Sequence, residues 1–247
     1  MNALAIMAEL RGISIPEAGT TRFRAPYKPV ALGTLAGRNI GNHHKATRLT
    51  PMHDWHMENG AEMIEAGIWY RPRVYKKLGE TLEEAYIREA RAVRNSVGIV
   101  DVTSLGKIDV QGPDAAEFLN RIYANAFLKI PVGKARYGVM LREDGYMFDD
   151  GTCWRLSETQ FLMTTTTANA AGVLTELERL LTLVWPDLKV HVSSVTDQWA
   201  GMAIAGPKSR DVLMKIIDDI DFSEEGLPYM AVADGHRLKN FDIRQAF

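Results

Sequence analysis

Apolar and polar positions alternate from Arg136 to Arg142 and again from Tyr146 to Leu156, with the pair Asp144-Gly145 between them. Alternation with period two puts one face of each run on a core, and Asp-Gly tolerates the positive φ of a tight turn, so the pattern predicts a hairpin. A third β-type run, Gln160 to Thr167, ends in four threonines, and the three runs together form a meander. Elsewhere the period lengthens. Thr81-Leu-Glu-Glu84 is a capping box, Leu82, Tyr86, Ala90, Val93 and Val97 follow at helical spacing, and Gly98 stands where a helix-ending glycine belongs. Ile99 to Leu105 and Lys107 to Val110 read as strand. Residues 107–122 and 201–216 repeat one pattern: strand, Gly-Pro turn with the proline expected at the first helical position, then amphipathic helix. These two units bracket the meander. Ala168 to Val184 carries Val173, Leu174, Leu177, Leu180, Leu181 and Val184 on one helical face, and Lys189 to Val195 is a further strand. Strands and helices interleave without strict βαβ order. The fold class expected is α+β, a mixed or antiparallel sheet with helices on one side.

The ends read differently. Ala3 to Leu10 suits a helix closed by Gly12, and the stretch from Ile13 holds Pro16, Pro26, Pro29 and Pro51 with little periodicity, which marks an extended N-terminal connector. We therefore expect residues 1–50 to be the tail of an upstream domain plus that connector, and residues 51–247 to be one domain, incomplete at its C-terminus. Leu227 to Val232 suits a last strand.

Composition narrows the chemistry. The 247 residues are 46% hydrophobic, enough for one large core, and the net charge of −2 supplies no bulk attraction for nucleic acid or an anionic membrane. The single cysteine, Cys153, forms no internal disulfide and no CxxC metal knuckle. No run of about 18 apolar residues occurs. A soluble cytoplasmic protein is the expectation.

The feature that asks for a function is the adjacent pair Asp149-Asp150 inside the second meander strand. Successive side chains of a strand face opposite ways, so one carboxylate points outward and the other toward the apolar face, where it needs a partner. His53 and His56 lie three apart around Asp54, but two histidines without a third ligand at a recognised spacing carry little metal signal, and no metal site is assigned. Cys153 reads as a buried small hydrophobe, and His191 as a satisfied surface or core histidine. The large apolar side chains between Thr50 and Tyr75 read as core.

Several segments resemble the folate-binding aminomethyltransferase family: Thr47–His56, Trp69–Pro72, Gly98–Gly106, Ala135–Met140, Asp144–Asp150, Phe161–Met163 and Ala203–Pro207. That family includes the T-protein of the glycine cleavage system and the folate domains of sarcosine and dimethylglycine oxidases. Phe118–Asn125 and Phe161–Thr167 are similar, more narrowly, to the alpha subunits of heterotetrameric sarcosine oxidases. The resemblance implies a partial aminomethyltransferase fold and tetrahydrofolate as the cofactor. It implies Asp150 as the catalytic carboxylate, with Asp149 as a structural partner, and Leu105, Tyr137, Trp154 and Thr166 lining the folate. Relatives often carry tyrosine at the position of Trp154 and asparagine at that of Thr166. It further implies partners: other subunits of an amine-oxidising complex, and an imine whose carbon is passed to folate to give methylenetetrahydrofolate. The upstream domain would be dinucleotide-binding, so NAD and flavin are expected only in the full-length complex. The family's Gly-Tyr-Thr/Ser-Gly-Glu stretch, its Arg-x-Glu motif and its closing β domain do not occur here. Alternatives are a non-catalytic folate-binding or assembly module, an inactive truncated fragment, and a stand-alone aminomethyltransferase.

Overall fold

The capping box forms as the spacing predicts. In the computed structural model, which describes Gly12 and residues 48–235, Thr81 Oγ1 accepts from Glu84 N, and the Glu84 carboxylate accepts from Thr81 N at 2.9 Å. Two donors that a helix start leaves unpaired are thus satisfied. Helix α2 (Leu82–Asn95) follows α1 (His53–Glu58) and a small sheet of β1 (Arg48–Leu49), β2 (Ala61–Ala66) and β3 (Trp69–Tyr75). That sheet has the order β1-β3-β2, with β1 parallel and β2 antiparallel to β3, so the fold does contain mixed pairing. The expected N-terminal helix and nearly all of the connector lie outside the described residues.

Gly98 does not cap α2. The helix is capped at Ser96, and Gly98 opens strand β4 (Gly98–Asp101). The residue is constrained instead by packing, because a Cβ there would sit 2.4 Å from Val93 Cγ2. The strand-like run after it divides between two sheets. β4 pairs with β10 (Met202–Ala205) in a two-stranded ribbon, while β5 (Gly106–Gln111) enters a five-stranded sheet.

That sheet holds the meander: β6 (Lys134–Leu141), β7 (Met147–Arg155) and β8 (Gln160–Thr165), then β5 and β9 (His191–Ser194), in the order β6-β7-β8-β5-β9 with every pairing antiparallel. Hairpin β6–β7 therefore lies at one end of the sheet, and β8 is central. The turn is the expected one, with Gly145 at φ +83 and Arg142 N donating to Tyr146 O at 2.8 Å. Helices α3 (Ala115–Ile122) and α4 (Ala170–Arg179) bury Phe118, Leu119, Val173 and Leu177 in one cluster with Ile108, Val110, Met140, Cys153, Phe161 and Met163. Both helices share a single core with the sheet, which is the one-sided layering expected. Fully burying each phenylalanine contributes about 1.5–3 kcal/mol. Helix α4 continues through a π-helical segment, Leu180–Val184, which ends at Trp185. The repeat is real: β5 runs to α3 and β10 to α5 (Ser209–Ile216) through turns whose glycines, Gly112 and Gly206, have φ +141 and +113. Its prolines sit two residues earlier than expected. Pro113 and Pro207 precede the capping residues Asp114 and Lys208, so they shape the turn and not the first helical turn. The last expected strand is reduced to a bridge, Ala231 with Lys134, beside Ala135 N donating to Met230 O at 2.8 Å. On the same outer side of β6, Ala124 N donates to Val139 O at 2.9 Å and Val139 N donates to Asn125 Oδ1 at 3.0 Å.

The crossing from β4 to β5 is a tied turn. Asp101 Oδ1 accepts from Thr103 N at 2.9 Å, and Lys107 Nζ donates to Thr103 O and Leu105 O at 2.8 and 3.0 Å. Gly201 N donates to Thr103 Oγ1 at 3.1 Å. Burial pulls the Lys107 ammonium below its usual pKa, against Asp101 and Asp197. On its far side Asp101 Oδ2 meets His56 Nε2 at 2.9 Å, and His56 Nδ1 meets the Tyr75 hydroxyl at 2.6 Å. Burial first, then Asp101 and Glu89, push the Tyr75 phenol up to about 12, so it keeps its proton. Burial alone would raise Asp101; the hydrogen bonds from Thr103 and His56 outweigh it and hold the carboxyl below its usual range. A carboxylate depressed in the folded state stabilises the fold above its unfolded pKa, and that contribution is lost as pH falls through the folded value. Asp101→Asn is therefore expected to lower stability at pH 7 by about 1–3 kcal/mol and to flatten the acid limb of the stability curve below about pH 4. Acid titration of the unfolding temperature checks this, and parallel acid limbs for the two proteins would contradict it.

Candidate functional site

Strand alternation sorts the meander into two faces. Met140, Cys153, Phe161 and Met163 join the helix-side core. Tyr137, Thr152, Trp154, Leu162 and Thr164 are their alternates and share the outer face, in the register Tyr137–Thr152 and Trp154–Leu162. Asp150 belongs to this outer set.

The register shifts opposite Met147–Asp149, where Leu141 pairs with Met147 and Met140 with Asp149. Phe148 is the extra residue of this bulge and packs against the core. Asp149 also turns inward and is only 3% exposed. A buried carboxylate needs donors, and Thr166 provides two: its N at 3.1 Å and its Oγ1 at 2.5 Å. Asn169 Nδ2 donates to Phe148 O at 3.0 Å and fastens the same bulge.

Asp150 points the other way and is partly exposed; the Tyr137 hydroxyl donates to its Oδ2. Tyr137 is 48% exposed, so its ring presents a flat surface beside the carboxylate. Beside this pair β7 is tied to β8 through a threonine contact at Thr152. There the backbone N donates to Thr164 Oγ1 at 2.9 Å, and the two threonine hydroxyls meet at 3.0 Å.

Asp150 and Tyr137 are thus brought together, and Thr166 is joined to them through Asp149. Trp154 lies on the same face of β7 four residues on, about 13 Å along the strand. Leu105 is half-buried in the tied turn, immediately before the pair Gly106–Thr165. A groove of about 700 Å³ lies on the helix side between Arg121, Arg142, Arg179, Leu180 and Trp185, and none of Leu105, Tyr137, Asp150, Trp154 and Thr166 lines it. Burial pushes the Cys153 thiol up and leaves it a packing residue. Both ring nitrogens of His56 are spent on Asp101 and Tyr75. Among the described residues no group of three or more His, Cys, Asp or Glu is placed to hold a metal ion, and no helix is long and apolar enough to cross a membrane.

Thr152 and Thr164 escaped the sequence reading. Their signal was present: a threonine on the outer face directly across from Tyr137, and a run of four threonines entering the sheet. The His56–Asp101–Tyr75 chain joins residues as much as 45 positions apart and has no local signature.

Residues 52–244 match the family model described as the GCVT N-terminal domain. The chain belongs to that family. Residues 1–38 match a second model, the sarcosine oxidase A3 domain. The GCVT domain and its N-terminal extension are 52% identical over 235 residues to the sarcosine oxidase subunit alpha of Rhizobium meliloti (strain 1021), across 95% of this chain and 24% of that subunit. The corresponding subunit of Corynebacterium sp. (strain P-1) is 50% identical over 233 residues, 94% of this chain and 24% of its own length. The chain thus spans about a quarter of these relatives. The aminomethyltransferase of Thermotoga neapolitana is 34% identical over 193 residues, 76% of this chain and 49% of that enzyme. A crystal structure of the glycine cleavage system aminomethyltransferase T from Bartonella henselae superposes with a TM-score of 0.59 at 24% identity, covering 68% of this chain and 43% of that one. The GCVT domain therefore has part of the aminomethyltransferase fold, as its motifs implied.

Proposed function

We propose that this GCVT domain binds tetrahydrofolate on the outer face of its five-stranded sheet. It would serve a sarcosine oxidase-type assembly whose imine product donates a one-carbon unit. Asp150 is the catalytic carboxylate, and Leu105, Tyr137, Trp154 and Thr166 line the ligand. One observation carries the reading: of two adjacent aspartates, only Asp150 faces outward, and it does so in a hydrogen bond with an exposed phenol. The residues suit a flat heterocycle bearing N–H groups, since the face offers an aromatic surface, an acceptor and threonine hydroxyls together.

Folate, when bound, supplies the nucleophilic nitrogens that take up one carbon. The chain's own part is positioning and charge. Tyr137 holds Asp150 Oδ2, which leaves Oδ1 to accept a ligand N–H and to stabilise cationic charge arriving with the imine. NAD and flavin belong, on this reading, to other parts of a cytoplasmic hetero-oligomer. Relatives named as oxidase subunits support the multi-subunit assembly.

Calorimetric titration with tetrahydrofolate tests the proposal. Saturable binding is expected, weakened about tenfold or more in Tyr137→Ala, which corresponds to about 1.4 kcal/mol. Absence of heat, or equal affinity in the variant, would overturn it.

A further inference from the structure

Helix α3 ends in a segment whose tyrosine is not used by the site as so far described. Tyr123 bridges Met140 on β6, and Met140 pairs with Asp149 on β7. The next pair on that face is Gly138 with Gly151. Two glycines opposite one another leave the helix side of the sheet bare between Asp149 and Cys153. The Tyr123 ring fills this gap: a Cβ at Gly138 would meet Tyr123 Cδ1 at 2.5 Å and Cε1 at 2.8 Å. Phe127 stacks on the ring, with centroids 4.4 Å apart.

The phenol is 4% exposed, and its hydroxyl has no hydrogen-bond partner in the protein. Phenylalanine would fill the same space without leaving a buried O–H unpaired. Burial first, then Cys153, Asp149 and Asp150, push the pKa of Tyr123 up, so the group stays a donor. On the same face, Asp149 has acceptor capacity to spare: two carboxylate oxygens receive two hydrogen bonds, both from Thr166. A threonine hydroxyl has one proton. If Thr166 gives it to a ligand, Asp149 loses its shortest hydrogen bond while it remains buried.

We propose that Tyr123 is a positioning residue of this site, the reserve donor to Asp149 that engages when the Thr166 hydroxyl turns to a ligand. The exchange keeps the bulge before Asp150 in place while Thr166 is in use. It rests on the assignment of Thr166 to the folate site, but its core is testable without folate.

Tyr123→Phe is made in the full 247-residue chain and in the same chain carrying Thr166→Val, and thermal unfolding is followed. With Thr166 present the substitution is expected to be neutral or to raise Tm. In the Thr166→Val background the threonine hydroxyl is gone and Asp149 depends on Tyr123, so the substitution is expected to lower Tm by roughly 2–6 °C. Thr166→Ser, which keeps the hydroxyl, should restore neutrality, and Thr166→Ala supplies the background if Thr166→Val does not fold. Equal shifts in both backgrounds overturn the proposal. Tetrahydrofolate that binds the unaltered chain and Tyr123→Phe equally tightly overturns it as well; a several-fold weaker affinity in the variant supports it. If no variant binds tetrahydrofolate, the folate reading falls, and the thermal comparison still decides the exchange.

Discussion

Asp150→Asn is expected, on the proposed function, to reduce folate-dependent one-carbon capture by about 10²–10⁴-fold in a sarcosine oxidase-type assembly containing this domain, with the fold intact. The substitution keeps the shape of the side chain and an oxygen for the Tyr137 hydroxyl, but removes the charge and the ability to take a proton. Amine oxidation elsewhere in the assembly should continue, so free formaldehyde should accumulate as the folate product disappears. Measuring both products separates loss of capture from loss of oxidation. An unchanged ratio would show that Asp150 is not the reacting carboxylate. Asp149→Asn provides the contrast, because it alters a buried acceptor of two hydrogen bonds and should be felt first as lowered stability.

The second large effect is structural. A Cβ at Gly151 would lie 2.1 Å from Thr164 O and 2.8 Å from its carbonyl carbon. Backbone atoms cannot swing aside as a flexible side chain does, so Gly151→Ala must push β7 off β8 beside the threonine contact at residue 152. We expect a cost of about 3 kcal/mol or more and a fall in Tm of at least about 6 °C, together with loss of tetrahydrofolate binding as Asp150 moves with its strand. Gly145→Ala is the control. Its neighbourhood is open, with nothing within 4 Å, and only the positive φ is strained, at a cost of about 1 kcal/mol. Calorimetry on the two variants compares steric displacement with backbone strain, and equal Tm losses would refute the close-approach argument.

The meander, the capping box and the strand-to-helix repeat could all be read from the chain, because each is built by neighbours in sequence: alternation, a Thr-x-x-Glu spacing, a Gly-Pro turn. The orientation of the aspartates was half legible. Alternation required that they face opposite ways, but the bulge that turns both Phe148 and Asp149 inward depends on pairing with Met140 and leaves no mark in the local pattern. The division of residues 98–111 between two sheets was hidden for a similar reason. Ile99 and Val100 look like the start of one long strand, and what ends it is Asp101, whose partners His56 and Thr103 come from both directions along the chain. Gly98 shows the converse error, a residue placed by a local rule that long-range packing overrides. The expectation that Asp150, Tyr137, Leu105, Trp154 and Thr166 form a site rests on family resemblance, whereas the hydrogen bond that singles out Asp150 is visible only in the folded chain.

The outer edge of β6 bears on how the chain reaches this structure. One part of that edge is met by Ala124 and Asn125, close in sequence, and the other by Met230 and Val232, nearly a hundred residues later. During synthesis the hairpin and its helices can collapse long before the second partner has left the ribosome. For that interval Gly133 and Ala135 present unpaired backbone groups along an otherwise finished sheet, the arrangement that invites pairing with another chain. Released chains that end shortly before residue 228 should therefore be more prone to self-association than those that extend past residue 235.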